Sequence, residues 1–191
     1  MGVTRLAIFA SGTGTNASSI IQYFQNDPAV EVSIVVTNKS DAGVIGVAER
    51  AKVEFAIITK QDLGDEELMM ALLEEYRVDV IVLAGWLLLV PPYLIERFEG
   101  RILNIHPALL PKFGGKGMWG KHVHQAVKDS GDLQSGITIH MVNAEYDKGK
   151  VLAQHKVELK AGDDPADIEA KVRKLELHHY PIEIKKFVDS I

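Results

Sequence analysis

The sequence predicts an α/β fold: one domain, with a mostly parallel twisted sheet carrying helices on both faces. Three observations predict it. Along the first half of the chain, short apolar β-rich runs alternate with amphipathic segments, which is the spacing of βαβ units. The run Val78 to Ala84 is apolar almost throughout, as a parallel strand buried on both faces must be. A Gly-rich turn follows the first run directly, where open α/β sheets place ligands. For a chain of 191 residues with 47% hydrophobic content, size scaling buries roughly 70% of the unfolded surface. That suffices for one core, so residues 1–191 are read as a single domain.

The elements follow in order. Arg5 to Ala10 reads as strand and Asn16 to Gln25 as helix; Val30 to Val36 is the second strand, ending at Thr37-Asn38-Lys39. Gly43 to Lys52 has helical spacing, Phe55 to Ile58 is strand-like, and Asp65 to Tyr76 is a helix whose first-turn acids suit the dipole. After the central apolar run, Pro91-Pro92 opens a short helix through Arg97, since Pro fits a first helical turn. Arg101 to Ile105 is a fifth strand running into His106-Pro107. Ala108 to Lys121 is irregular, with Gly114, Gly115, Gly117 and Gly120; loops of this length are functional or mobile. His122 to Lys128 is helical, Gly136 to Val142 and Val151 to Leu159 are strands, and Asp164-Pro165 starts a last helix patterned through Leu175.

Composition narrows the function. The net charge of −5 argues against a nucleic-acid or anionic-membrane surface. Any anion must therefore be held locally. With no Cys there is neither a disulfide scaffold nor a thiolate metal site. His122, His124, His140, His155, His178 and His179 show no metal-ligand spacing, so no metal is expected. No stretch approaches the ~20 apolar residues of a membrane span, and the N-terminus lacks a signal-peptide pattern, so a cytoplasmic location is expected.

Four places can carry chemistry. Ser11-Gly12-Thr13-Gly14-Thr15-Asn16-Ala17 is close to the dinucleotide fingerprint, but Asn38-Lys39 stands where the ribose-binding acid belongs. What survives is a cradle of backbone N–H groups plus Thr15 and Asn16, suited to a phosphate monoester. The plain alternative is a strand-to-helix turn with Asn16 as N-cap. Asn104-Ile105-His106-Pro107 ends a central strand, and alternation puts Asn104 and His106 on one side, an amide for an oxyanion beside an imidazole for proton transfer. The alternative is two satisfied polar residues closing a strand. Asn143 to Gly149 follows the strand carrying His140; a carboxylate there raises a nearby imidazole's pKa, but spacing leaves Asp147, Glu145 and Asp163 open as partners of His106, and the stretch reads equally as a polar turn. Trp86 and Leu87 to Val90 suit either core or an apolar slot for a flat ring.

Taken together, the Ser-Gly-x-Gly-Thr-Asn loop, Leu83-Ala84-Gly85, Asn104-Ile105-His106-Pro107-x-Leu109-Leu110-Pro111 and Asp147-x-Gly149 resemble the folate-dependent formyltransferases, from about Leu6 to Pro181. The resemblance implies a Rossmann-like enzyme of purine biosynthesis that moves the formyl group of 10-formyltetrahydrofolate to the glycyl amine of a phosphoribosylated glycinamide. It implies that Gly14, Thr15 and Asn16 hold the phosphate, that Glu176 binds the ribose with Arg173 nearby, and that Leu87, Leu88, Leu89, Val90, Asn104, Asn143, Ala144, Glu145, Tyr146 and Asp147 enclose the pterin. Asn104, His106 and Asp147 become the catalytic set, with Asp147 keeping His106 charged. Small-molecule substrates, no nucleic acid or membrane partner, and a monomer or homodimer are expected. The rivals are a deformylase that gives the formyl group to water and a non-catalytic folate-binding protein. Three departures stand out: Leu88 where relatives often have Arg, Lys60-Gln61 where many have Arg, and a longer, Gly-richer 112–121 loop.

Overall fold

The computed structural model describes residues 2–191. Its strands are β1 (Thr4–Phe9), β2 (Val30–Thr37), β3 (Glu54–Ile57), β4 (Val80–Leu83), β5 (Ile102–His106), β6 (Gln134–Met141) and β7 (Val151–Glu158). They form one seven-stranded sheet in the order β3-β2-β1-β4-β5-β6-β7. The pairings from β3 through β5 are parallel, and β5–β6 and β6–β7 are antiparallel. The helices are α1 (Thr15–Phe24), α2 (Gly43–Ala51), α3 (Lys60–Gly64), α4 (Glu66–Glu75), α5 (Pro92–Arg97), α6 (Lys121–Ser130) and α7 (Pro165–Val188).

The sheet divides two apolar cores. Alternation along β1 sends Leu6 and Ile8 into one core with Ile20, Val44, Val127 and Val172, beneath the face carrying α1, α2, α6 and α7. Ala7 and Phe9 point the other way, joining Met69, Leu73 and Leu94 of α4 and α5. Strand β4 is buried along its whole length, as expected of an inner parallel strand. The chain order reverses between β1 and β4, so the loops leaving their carboxyl ends diverge and open a crevice.

The observed elements match the expected ones within a few residues, with three corrections. The segment Lys60–Gly64 is a separate helix: Thr59 and Asp62 form a reciprocal capping box, which stabilises even one turn. Asn16 is not an N-cap. Gly14 occupies that position with φ +80°, and Asn16 lies inside the helix. Helix α7 runs on to Val188 through Pro181. Pro181 removes the N–H that would bond the Leu177 carbonyl, and the Ser19 hydroxyl of α1 donates to that carbonyl at 2.6 Å instead. The same bond fastens α7 to α1.

Candidate active site

A cleft of about 290 Å³ opens over the carboxyl ends of β1, β4 and β5. At one end lies the turn after β1. Its Gly14 is required twice, for the left-handed φ and because a Cβ would come within 2.7 Å of Val44 Cα. No side chain caps α1, so its first N–H groups stay available to an anion. Asn16 Nδ2 donates to Glu176 Oε2 at 3.1 Å, tying this turn to α7. Burial pushes the Glu176 carboxyl above its usual pKa, while the Asn16 bond and Arg173 pull against that shift. Arg173 itself is paired with Glu169.

The floor is built by β5 and β6. Antiparallel pairing sets Asn104 opposite His140 and His106 opposite Thr138. The His140 Nδ1–H donates to the Met141 carbonyl at 2.9 Å, so its Nε2 lone pair accepts from Asn104 Nδ2 at 3.1 Å. One N–H of the Asn104 amide remains unspent. His106 Nε2–H donates to the Phe113 carbonyl at 2.7 Å. Asp147 bridges the two rings: Oδ2 lies 3.6 Å from His106 Nδ1 and Oδ1 lies 3.6 Å from His140 Nε2. Its Oδ2 also accepts the Gly115 N–H at 2.8 Å. Of the three carboxylates that spacing left open, Asp147 is thus the partner of His106. Glu145 pairs with Lys148, and Asp163 with Lys171.

Two backbone features place Asp147. It adopts φ +55°, a left-handed conformation uncommon for a side-chain-bearing residue. Gly149, two residues on, packs so closely on the Met141 carbonyl that any Cβ would collide with it. Burial alone would raise the Asp147 pKa, but the polar groups around it, the Gly115 N–H among them, outweigh it and lower the pKa. Asp147 is therefore ionised.

His106 corrects one expectation. Burial is the largest influence and holds its pKa below the usual value; Asp147 and the Phe113 carbonyl pull upward without overcoming it. In the ligand-free protein the ring is neutral at pH 7. A protonated His106 requires further negative charge beside it.

Most of the expected site residues converge. Asn16, Arg173, Glu176, Leu87, Leu88, Leu89, Val90, Asn104, His106, Asn143, Glu145, Tyr146 and Asp147 all line the cleft. Gly14, Thr15 and Ala144 do not: Gly14 is buried against Val44, Thr15 is exposed at the helix start, and Ala144 faces solvent. Trp86, Leu87 and Leu89 form an apolar slot, and the buried Trp86 indole N–H has no partner. An apolar slot with one unspent donor fits a flat heteroaromatic ring such as a pterin. Sequence reasoning missed His140, which bonds Asn104; His124, which lines the cleft from α6; and Met118 and Trp119 at its rim. His140 was discoverable in principle, because it follows β5 in an alternating strand that ends at the same loop.

An open α/β sheet with a glycine turn at its switch point and an amide, imidazole and carboxylate at a neighbouring strand end defines an enzyme of the doubly wound class. The comparisons make this specific. The pattern describing the formyl transferase family matches residues 4–184, and the chain belongs to that family. It is 43% identical over 176 residues to the chloroplastic phosphoribosylglycinamide formyltransferase of Arabidopsis thaliana, an alignment covering 88% of this chain and 60% of that protein. Against the phosphoribosylglycinamide formyltransferase of Haemophilus influenzae it is 34% identical, with 97% and 88% covered. The crystal structure of phosphoribosylglycinamide formyltransferase from Brucella melitensis superposes with a TM-score of 0.88 at 35% identity, covering 97% of this chain and 96% of that one. Among the described residues no helix is long and apolar enough to cross a membrane.

Proposed function

We propose that the whole chain acts as one domain that transfers the formyl group of 10-formyltetrahydrofolate to the glycyl amine of 5'-phosphoribosylglycinamide, giving formylglycinamide ribonucleotide and tetrahydrofolate. The carrying observation is the Asn104–His140–Asp147–His106 cluster, which leaves one amide N–H of Asn104 unspent beside an imidazole backed by an ionised carboxylate. The formyl folate supplies an activated one-carbon group. Gly14, Thr15 and Asn16 hold the ribonucleotide phosphate at the start of α1, and Glu176 with Arg173 holds its ribose. Leu87 to Val90 and residues 143–147 enclose the pterin, largely through backbone groups.

In this reading the Phe113 carbonyl stands where the formyl oxygen comes to lie. Asn104 Nδ2–H and His106 Nε2–H then stabilise the negative charge that develops on that oxygen during attack by the amine. That charge, added to Asp147, raises the His106 pKa, so the ring takes up the proton that the attacking amine loses, with Nδ1–H facing Oδ2. An equal proton passes from the cleft side to the folate nitrogen as its bond to the formyl carbon breaks and the carbonyl re-forms. Leu88 gives the pterin an apolar contact where an arginine would offer a charged one. All these residues come from one chain, so a monomer or a homodimer serves equally, and a cytoplasmic enzyme of small-molecule substrates is the setting.

The test is formyl loss from 10-formyltetrahydrofolate, with and without the ribonucleotide. Loss only with the ribonucleotide, with formylated product recovered, supports transfer. Equal loss without it makes the protein a deformylase, and no loss in either tube while the folate binds makes it a non-catalytic binder.

A further inference from the structure

Buried polar atoms without partners are costly, so where they collect is informative. Among the described residues five side-chain atoms are buried and unpartnered, and three of them, Asn16 Oδ1, Trp86 Nε1 and His124 Nδ1, belong to residues lining the one cleft. Asn16 and Trp86 fall in the phosphate turn and the pterin slot. His124 has no role in the reading above.

His124 lies on α6 and is only 4% exposed. Burial first, then Arg173 and His106, lower its pKa, against an opposing pull from Glu169. A neutral imidazole donates at one nitrogen and accepts at the other, which matches an amide or a hydroxyl better than a phosphate or an ammonium. Its place selects which substrate. Helix α6 packs in the core shared with α7, the wall that bears Arg173 and Glu176, whereas Trp86, Leu88 and Val90 pack in the core on the opposite face of the sheet. His124 also shares the cleft with Met118, Trp119 and Gly120 of the Gly-rich loop. A turn about its soft χ2 torsion redirects Nδ1 without moving the backbone.

We propose that His124 is a specificity-determining contact for the acceptor, hydrogen-bonding an uncharged amide or hydroxyl of its ribosylglycinamide part between His106 and Arg173. This rests on the acceptor being the ribonucleotide. The orphaned nitrogen is then a group kept for a ligand, and the ligand-free protein is less stable for keeping it.

Two variants test it. His124→Leu removes both nitrogens, and His124→Asn restores a donor and an acceptor near the Nδ1 position. Titration calorimetry with glycinamide ribonucleotide, without formyl donor, is set beside thermal unfolding of the free proteins and binding of a deaza analogue of the formyl folate. For His124→Leu the expected result is a ribonucleotide Kd raised about tenfold or more, the worth of one hydrogen bond. Its folate-analogue Kd stays unchanged, its Tm is equal or higher, and His124→Asn recovers most of the affinity. An unchanged ribonucleotide Kd overturns the proposal, as does a loss of affinity for both ligands together with a lower Tm, which marks a packing role. Wild-type protein that binds no ribonucleotide instead defeats the functional reading itself.

Discussion

The two ends of the cleft handle polar atoms differently. At the β5–β6 end the imidazoles of His106 and His140 and the Asp147 carboxylate are held by one another or by backbone groups, with Asn104 donating into the cluster. At the α1–α6 end and along the Trp86 slot, Asn16 Oδ1, His124 Nδ1 and Trp86 Nε1 are left without partners. Groups that act on a reacting atom must be preorganised before it arrives. Groups that recognise a substrate gain by having no competing partner, at a cost in stability. The same pocket therefore contains a rigid part and a hungry part.

The largest expected effect breaks the rigid end. Asn104→Ala removes the unspent amide N–H and should lower saturated turnover by about 10²–10³-fold, the worth of one oxyanion donor, with both substrates' dissociation constants unchanged. A smaller effect moves that end as a body. Gly149→Ala forces the 143–149 loop off the Met141 carbonyl, and chemical denaturation should show a loss of about 1–3 kcal/mol, typical of overpacking, with turnover falling because Asp147 moves too. At the hungry end, Asn16→Ala should raise the ribonucleotide KM by about tenfold while sparing folate binding, as expected for one hydrogen bond. Equal weakening of both substrates would instead mark a folding defect.

The subtlest effect is in pH. His106, His124 and His179 are each held, chiefly by burial, below the ordinary histidine pKa of 6.5. The unfolded chain binds these protons first, so stability is full above pH 6.5 and is lost as pH falls from there through the depressed folded values. Thermal unfolding between pH 7 and pH 5 should show Tm falling, and His124→Leu should flatten that slope. A Tm that rises on acidification would contradict the burial of these rings.

The fold was legible because local pattern and tertiary demand agree over most of the chain. The all-buried strand β4 and the alternating β7 each announce their environment. The helical pattern of α7 was legible through Leu175, and the helix runs on past Pro181 because a hydroxyl from another helix takes over the freed carbonyl. Helix α3 escaped because one capped turn has no periodicity to read. For the site, Asn104 and His106 were legible as neighbours on one strand face. For His140 only its place on the strand leading to the Asp147 loop was legible, because its bond to Asn104 depends on antiparallel register across 36 positions. The charge of His106 was misjudged for a related reason: sequence shows a nearby acid, but only the packed structure shows how much burial opposes it.

The most direct test of the account is His106→Ala, with single-turnover formyl transfer measured beside the dissociation constants of both substrates. Loss of the acid–base and oxyanion partner should slow transfer at least about 10²-fold while both substrates bind as before. Transfer at the wild-type rate would contradict the account, because it would place the chemistry outside the cluster that Asp147 holds together.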